Sequence, residues 1–246
     1  MTDAILRIQN LSVTLGGKPI IRELGFEVAP GETLALLGGS GTGKSVTLKA
    51  ILGLLPAQAG TIELGGVDLR TAKGRDAAAA RARIGMLFQG AALFDSLTIW
   101  ENIAFRLTQA EGMGRKAARE RALAMLDAVG LDGALAERRP ADLSGGQQKR
   151  AGLARALAAE PEILFFDEPT TGLDPISAGL IDTLMADTIT QTGAAAVMIT
   201  HDIASVRKVS QRVAFLHEGT IGWTGHVSDL DHSDFPPLQA FLTGRD

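Results

Sequence analysis

The sequence predicts an α/β protein with a mostly parallel sheet and helices on both faces, and three observations carry that expectation. Strand-length apolar runs alternate with helical segments through the second half of the chain. A glycine-rich run, "GGSGTGKS", lies between a strand-like and a helix-like segment, and one block, Thr98 to Val129, is helical in pattern throughout. Alternating β and α units return the chain in the same direction each time, which builds a parallel sheet.

In order, "ILRIQNLSVTL" and "PIIRELGFEV" read as β-rich segments divided by the turn "GGK", and "ETLALLG" runs straight into the glycine-rich loop. The helix after Lys44, "SVTLKAILGLL", is apolar on nearly every side, so it is expected to be buried until Pro56 stops it. Residues 60 to 88 give short strands around the Ala-rich helix "RDAAAARAR", and "EGMGRKAARERALAMLDAVG" ends at Gly130 as a helix C-terminus would. A helix from about Ser144, the strand "EILFFD", a helix after Pro175, the strand "AAVMIT", a helix from Asp202 and a strand pair around "RVAFLHEGTIGW" complete the series. In the tail, Pro236 and Pro237 open a short apolar helix, Leu238 to Leu242, which either docks on a partner or caps its own domain.

A chain of 246 residues, 46% of them hydrophobic, buries a large core as one domain or a domain with a subdomain. Its formal net charge of -4 supplies no broad positive field, which disfavours nucleic-acid partners. No cysteine is present, so disulfides and thiolate metal sites are excluded. The start "MTDAILRIQN" lacks a secretory signal pattern, and the longest apolar runs fall short of the ~20 residues that cross a bilayer. The expectation is a cytoplasmic chain whose membrane role is borrowed from a partner. His217, His226 and His232 lack ligand spacing and are assigned no metal.

"GGSGTGKS", Gly38 to Ser45, fits the G-x-x-x-x-G-K-[ST] phosphate loop in full and in the strand-to-helix context the motif requires. Gly38, Gly39, Ser40, Gly41, Thr42 and Gly43 can turn their amides toward phosphate oxygens; Lys44 reaches the β and γ phosphates, and Ser45 can ligate Mg²⁺. The run "ILFFD" marks a buried strand ending in Asp167 and Glu168, with Pro169 forbidding further pairing. At that edge Asp167 is expected to hold Mg²⁺ and Glu168 to polarise the attacking water. Gln89 and His201 follow other strand-like runs and can enter the same crevice.

A second glycine-rich run, "LSGGQ", has no place in a single phosphate cradle. Taken with "GGSGTGKS", Gln89, "ILFFDEP", "TGLDP" and "THD", it resembles, in order and spacing across essentially the whole chain, an ABC transporter nucleotide-binding domain. That resemblance implies a P-loop NTPase of ABC type: a mostly parallel core, an N-terminal antiparallel β subdomain and an inserted helical subdomain. The expected division is about 1–90 and 160–224 for the catalytic core, 91–159 for the helical subdomain with the signature, and 225–246 for the tail. It further implies ATP and Mg²⁺, hydrolysis coupled to transport, and a head-to-tail homodimer. In such a dimer Ser144, Gly145, Gly146 and Gln147 of one chain face the phosphate loop of the other. By the same resemblance Gln89 senses Mg²⁺ and water, Asp174 links the two sites, and His201 contacts the γ-phosphate. The residues themselves agree with an outward-facing cradle: Leu153, Ala154, Leu157 and Ala158 form an apolar stripe that packs the signature helix inward and leaves its first amides free for an anion.

Two departures matter. Leu15 stands where the family often stacks an aromatic residue on adenine, and Val46 replaces the hydroxyl residue that frequently follows the loop serine. Leu15 then implies only modest preference for ATP over GTP. The stretch "IGMLFQGAALFDSLTIWENIAF" is similar to the Mla-type subgroup, lipid-asymmetry ATPases that work with an MCE-domain protein. This implies a permease at the inner membrane and phospholipid cargo and leaves a small regulatory subunit open, with Leu93 and Phe94 either partner contacts or local core. Three alternatives stay open: an importer of polar amino acids, a soluble ATPase acting on ribosome or DNA, and a nucleotide switch without turnover.

Overall fold

The computed structural model describes residues 4–244. Strands β1 (Leu6–Leu15) and β2 (Lys18–Val28) form a hairpin whose turn, Gly16 and Gly17, has positive φ at both residues. After β3 (Thr33–Leu37) come α1 (Lys44–Ile51), β4 (Ala59–Leu64), β5 (Val67–Asp68), α2 (Gly74–Ala82) and β6 (Ile84–Leu87). The helical insert holds α3 (Ile99–Ile103), α4 (Phe105–Gln109), α5 (Arg115–Ala128) and α6 (Gly145–Leu157). The rest alternates: β7 (Ile163–Asp167), α7 (Pro175–Thr192), β8 (Ala195–Thr200), α8 (Ile203–Val209), β9 (Arg212–His217), β10 (Thr220–His226) and α9 (Pro236–Thr243).

Two sheets result. The first is antiparallel, in the order β2-β1-β4-β5. The second runs β10-β9-β3-β8-β7-β6, parallel throughout except for the hairpin strand β10. Along each central strand the side chains alternate between two cores, as the pleat dictates. Leu37, Phe166 and Met198 face the helical insert, while Leu36, Phe165 and Val197 face α1 and the antiparallel sheet. Each fully buried Phe or Leu contributes about 1.5–3 kcal/mol by its removal from water, so the sheet is held from both sides.

The parallel register is what builds a site. Leu37 lies opposite Thr200, Asp167 opposite Ile199 and Leu87 opposite Phe166. The strand ends that carry Gly38, Gln89, Glu168 and His201 therefore line up along one edge, although their residues are far apart in sequence.

The helix expected after Lys44 ends earlier than the sequence suggested. Gly53 takes a positive φ of 74°, the amides of Leu54 and Leu55 both fold back to Lys49 O, and Leu54 is 64% exposed. A left-handed glycine, three residues before Pro56, is what stops it. The tail helix α9 seats on its own domain, with Leu238 fully buried and Phe241 5.5 Å from the ring of Phe215. Among the described residues no helix is long and apolar enough to cross a membrane.

Candidate functional site

The phosphate loop leaves the buried strand β3 and turns directly into α1. A Cβ on Gly38 would sit 2.5 Å from Leu216 O, a backbone atom that cannot yield, so only glycine fits there. Gly41 and Gly43 have φ of 77° and 110°. The loop is braced from inside: Thr42 Oγ1 donates to Gly39 O at 3.0 Å, and buried Thr47 donates to Gly43 O at 3.1 Å. The Lys44 ammonium, also buried, donates to Gly38 O at 2.6 Å and Gly39 O at 2.8 Å. Burial pushes its pKa down, and the neighbouring Glu168 and Asp167 carboxylates oppose that. Ser45 is exposed at the head of α1, and half-buried Val46 packs into the core on the α1 side.

Opposite the loop, Asp167 ends β7 with its Oδ1 buried and without a hydrogen-bond partner among the described residues. Burial raises its pKa first, the Glu168 charge adds to this, and Lys49, Lys149 and Lys44 pull it back. An orphaned carboxylate oxygen ringed by lysines costs free energy unless a cation or donor completes it.

Glu168 sits at φ 47°, a left-handed conformation that costs a residue with a side chain about 1–3 kcal/mol and concentrates at working sites. Three hydrogen bonds hold it: its amide donates to Ile199 O at 2.8 Å, and its carbonyl accepts from Thr171 N and from Lys149 Nζ, each at 3.3 Å. The turn aims the carboxylate at His201. His201 Nδ1 lies 3.0 Å from Oε1 and 2.8 Å from Oε2, and Thr171 Oγ1 donates to Oε2 at 2.9 Å.

These groups share a cleft of about 580 Å³ lined by Leu15, Ile20, Ser40, Gly41, Gly43, Lys44, Ser45, Val46, Gln89, Glu168, Thr171 and His201. Leu15 stands at the rim, 36% exposed. Sequence reasoning missed Ile20 and Thr171 here, and Lys149 beneath. Only Thr171 left a signal, three residues beyond Glu168 in a turn-forming run.

The second glycine-rich run lies outside this cleft. Ser144 N-caps α6, and Gln147 returns the favour: Gln147 N donates to Ser144 Oγ at 3.4 Å and Ser144 N to Gln147 Oε1 at 2.9 Å. Each side chain thus accepts from the other residue's backbone amide, while the amides of Gly145 and Gly146 open the helix with no partner inside it. The expected stripe is inward: Leu153, Ala154, Leu157 and Ala158 are buried. Asp174 is exposed and caps α7, its Oδ1 accepting from Ile176 N and Ser177 N, both at 3.0 Å. Gly146 approaches Ser177 so closely that a Cβ there would lie 3.4 Å from its Oγ, which seats the start of α6 against the start of α7.

A family model described as "ABC transporter" matches residues 21–171. The chain belongs to the ABC transporter family. Among its relatives, the Arabidopsis thaliana protein TRIGALACTOSYLDIACYLGLYCEROL 3, chloroplastic, is 36% identical, with 99% of this chain covering 74% of that one. The histidine/lysine/arginine/ornithine transport ATP-binding protein HisP of Salmonella typhimurium is 34% identical, over 99% of this chain and 98% of that one. Among solved structures, the dimeric ATP-binding cassette MJ0796, in a post-hydrolysis state bound to ADP and Pi, matches with a TM-score of 0.81 and 28% identity, over 90% of this chain and 98% of that one. This chain is therefore an ABC cassette: an ATP-binding ATPase domain with the antiparallel sheet, parallel core and helical insert of that fold.

Proposed function

We propose that this cassette drives a membrane permease as a head-to-tail homodimer with two composite ATP sites, and that the cargo is phospholipid. The observation that carries the hydrolytic half is the Glu168 carboxylate, bonded to His201 and Thr171 across the cleft from the phosphate loop. In that arrangement the amides from Gly38 to Val46 and the Lys44 ammonium hold the β and γ phosphates, with the hydroxyls of Ser40, Thr42 and Ser45 at hand. Glu168 accepts a proton from the attacking water. The water oxygen bonds to the γ-phosphorus as the bond from that phosphorus to the bridging oxygen breaks, and ADP keeps the bridging oxygen. His201 orients Glu168 through Nδ1 and presents its other nitrogen toward the γ-phosphate, while Gln89 orders the water.

The donor chemistry suits Mg²⁺: the Asp167 Oδ1 lacks a partner, and Ser45 and Gln89, which line the cleft, carry neutral oxygens. Mg²⁺ held by these residues would neutralise phosphate charge. Leu15 and Ile20 offer the base an apolar surface without a stacking ring. The amides of Gly145 and Gly146 complete the partner chain's site, assisted by Ser144 and Gln147, and Asp174 lies where the two chains meet.

The cargo reading rests on the likeness of residues 84–105 to the Mla type and on the lipid in the Arabidopsis relative's name. The likeness to HisP supports the runner-up, a polar amino-acid importer. For the permease contact, Phe94 and Phe105, 45% and 37% exposed, meet as a tilted ring pair with centroids 4.6 Å apart beside a groove of about 440 Å³, whereas Leu93 turns partly into the core. An unpartnered aromatic pair of this kind suits a helix of a membrane subunit. MCE-domain and small regulatory partners belong to the same reading, with the chain held peripherally at the inner membrane.

Glu168→Gln tests the enzyme. Phosphate release should fall by about 10²–10⁴-fold while ATP binding persists and an ATP-bound dimer accumulates; unchanged release removes Glu168 from its role. Affinity purification from solubilised native membranes tests the cargo. A permease arriving with an MCE-domain protein and enriched phospholipid supports it, and one arriving with an amino-acid-binding protein overturns it.

A further inference from the structure

Behind the cleft lies a buried polar node that the hydrolytic reading does not use. Asp182, on the inner face of α7, is 5% exposed. Its Oδ2 is 3.1 Å from Ser205 Oγ on α8, and its Oδ1 is buried with no hydrogen-bond partner among the described residues. The same Ser205 oxygen lies 3.0 Å from Asp202 Oδ2 and 3.4 Å from Thr170 Oγ1. The charged groups that face Asp182 are Asp202 and Lys208, and the Lys208 ammonium donates to Gly179 O at 2.6 Å.

Counting protons decides the state of this node. Ser205 has one hydroxyl proton for two carboxyl neighbours. Asp202 is the N-cap of α8: its Oδ1 accepts from Ala204 N at 2.9 Å and from Ser205 N at 3.5 Å. The Ser205 proton can serve only one of the two, and Asp202 Oδ2, at 3.0 Å, is the nearer. If Asp182 were ionised, its Oδ2 would face the Ser205 oxygen with no proton between them, and its Oδ1 would be a buried, unpaired charged oxygen. A proton on Asp182 Oδ2 removes both penalties, because the neutral acid then donates to Ser205 Oγ. Burial, the first cause of its raised pKa, acts in the same direction.

We propose that Asp182 is a protonated, neutral positioning residue that fixes Ser205 and, through Ser205, holds the His201–Asp202 turn in register with the segment carrying Glu168. Thr170 lies two residues past Glu168, α8 starts directly after Asp202, and α7 starts directly after Asp174. One hydroxyl thus ties together the three segments that carry Glu168, His201 and Asp174. The inference rests on the reading of Glu168 and His201 as the hydrolytic pair.

The test uses the full chain and three variants. Asp182→Asn keeps a donor of the same shape, whereas Asp182→Leu and Ser205→Ala remove the link. Asp182→Asn should retain kcat within about twofold, and the other two should lose about tenfold in kcat at unchanged KM for ATP, as expected when a catalytic group is misplaced but binding is intact. In a His201→Ala background Ser205→Ala should cost less than in the parent, because part of its effect passes through His201. Infrared difference spectra between the parent and Asp182→Asn at neutral pH should show the carbonyl band of a protonated carboxyl that the variant lacks. Absence of that band, or an Asp182→Asn variant as impaired as Asp182→Leu, overturns the proposal. Full activity in His201→Ala would instead overturn the reading of the pair, while the infrared band would still decide the protonation of Asp182.

Discussion

At Glu168 a single residue combines a strained backbone, a buried strand end and four partner residues, and only the strand end was legible in the sequence. The run "ILFFD" places two acids at a sheet edge because four apolar residues leave no other environment for them. Its left-handed φ, the Lys149 beneath it and the Thr171 hydroxyl beside it depend on how α6 and the following turn pack, and no local pattern encodes that. Asp182 is the sharper case. In "LIDTLM" it reads as the polar face of a helix, yet the structure turns it inward against α8. Its raised pKa carries a stability consequence of definite sign. The folded chain holds the proton more tightly than the unfolded one, so the contribution of this group is complete below the ordinary aspartate range, about 3.9, and is lost as pH rises through the folded value. Denaturant titrations across that range should show a downward slope in the parent that Asp182→Asn lacks, and equal slopes would contradict it.

Among the elements, β3, β7 and β8 were plain in the sequence because strands buried on both faces read as apolar runs bounded by glycine, acid or histidine. The end of α1 was not, since Gly53 and Pro56 are both plausible stops and only the backbone of Gly53 shows which one acts. The loop after Gln89 was legible only as a partner candidate. Its hold on the fold comes from α6: Arg155 donates to Ala92 O at 2.6 Å and Ala91 O at 2.9 Å, and Ala91 and Ala92 both have positive φ, 59° and 51°. The absence of a side chain at Gly152 lets this loop lie against the helix, since a Cβ there would be 3.2 Å from that of Ala91. The signature helix therefore grips the segment that carries Gln89 and Phe94. Arg155→Gln should destabilise the chain by about 1–3 kcal/mol and speed amide exchange at residues 90–94 before it does so elsewhere. Exchange that rises uniformly would show that Arg155 acts on the whole fold and not on this loop.

For the molecule as a whole, two half-sites on one chain are the feature to explain. The cleft gathers the phosphate loop, Gln89, Glu168 and His201, and leaves Ser144 to Gln147 and Asp174 outside it, on the starts of α6 and α7. The parallel register accounts for the gathering, and the capping of α6 by Ser144 and Gln147 accounts for two glycine amides left pointing away from the core. In the proposed head-to-tail dimer, a second chain would supply what each half lacks. The cargo is the least legible property, because under the proposed reading it is set by partner proteins and not by this chain's own site.

The most direct measurement of the composite site is a complementation assay of ATP hydrolysis with two variants that are each inactive alone. Lys44→Ala disables the phosphate loop. Gly145→Asp sets a negative charge where the partner's phosphates bind, at a first-turn position where acids favour helix formation, so α6 itself is retained. In a head-to-tail dimer one mixed pair contains one intact site, with the loop from one chain and the signature from the other. An equal mixture should then recover about a quarter of the parental rate, since half of the dimers are mixed and each of these has one of two sites. No recovery above that of either variant, with mixed dimers present, would contradict the account.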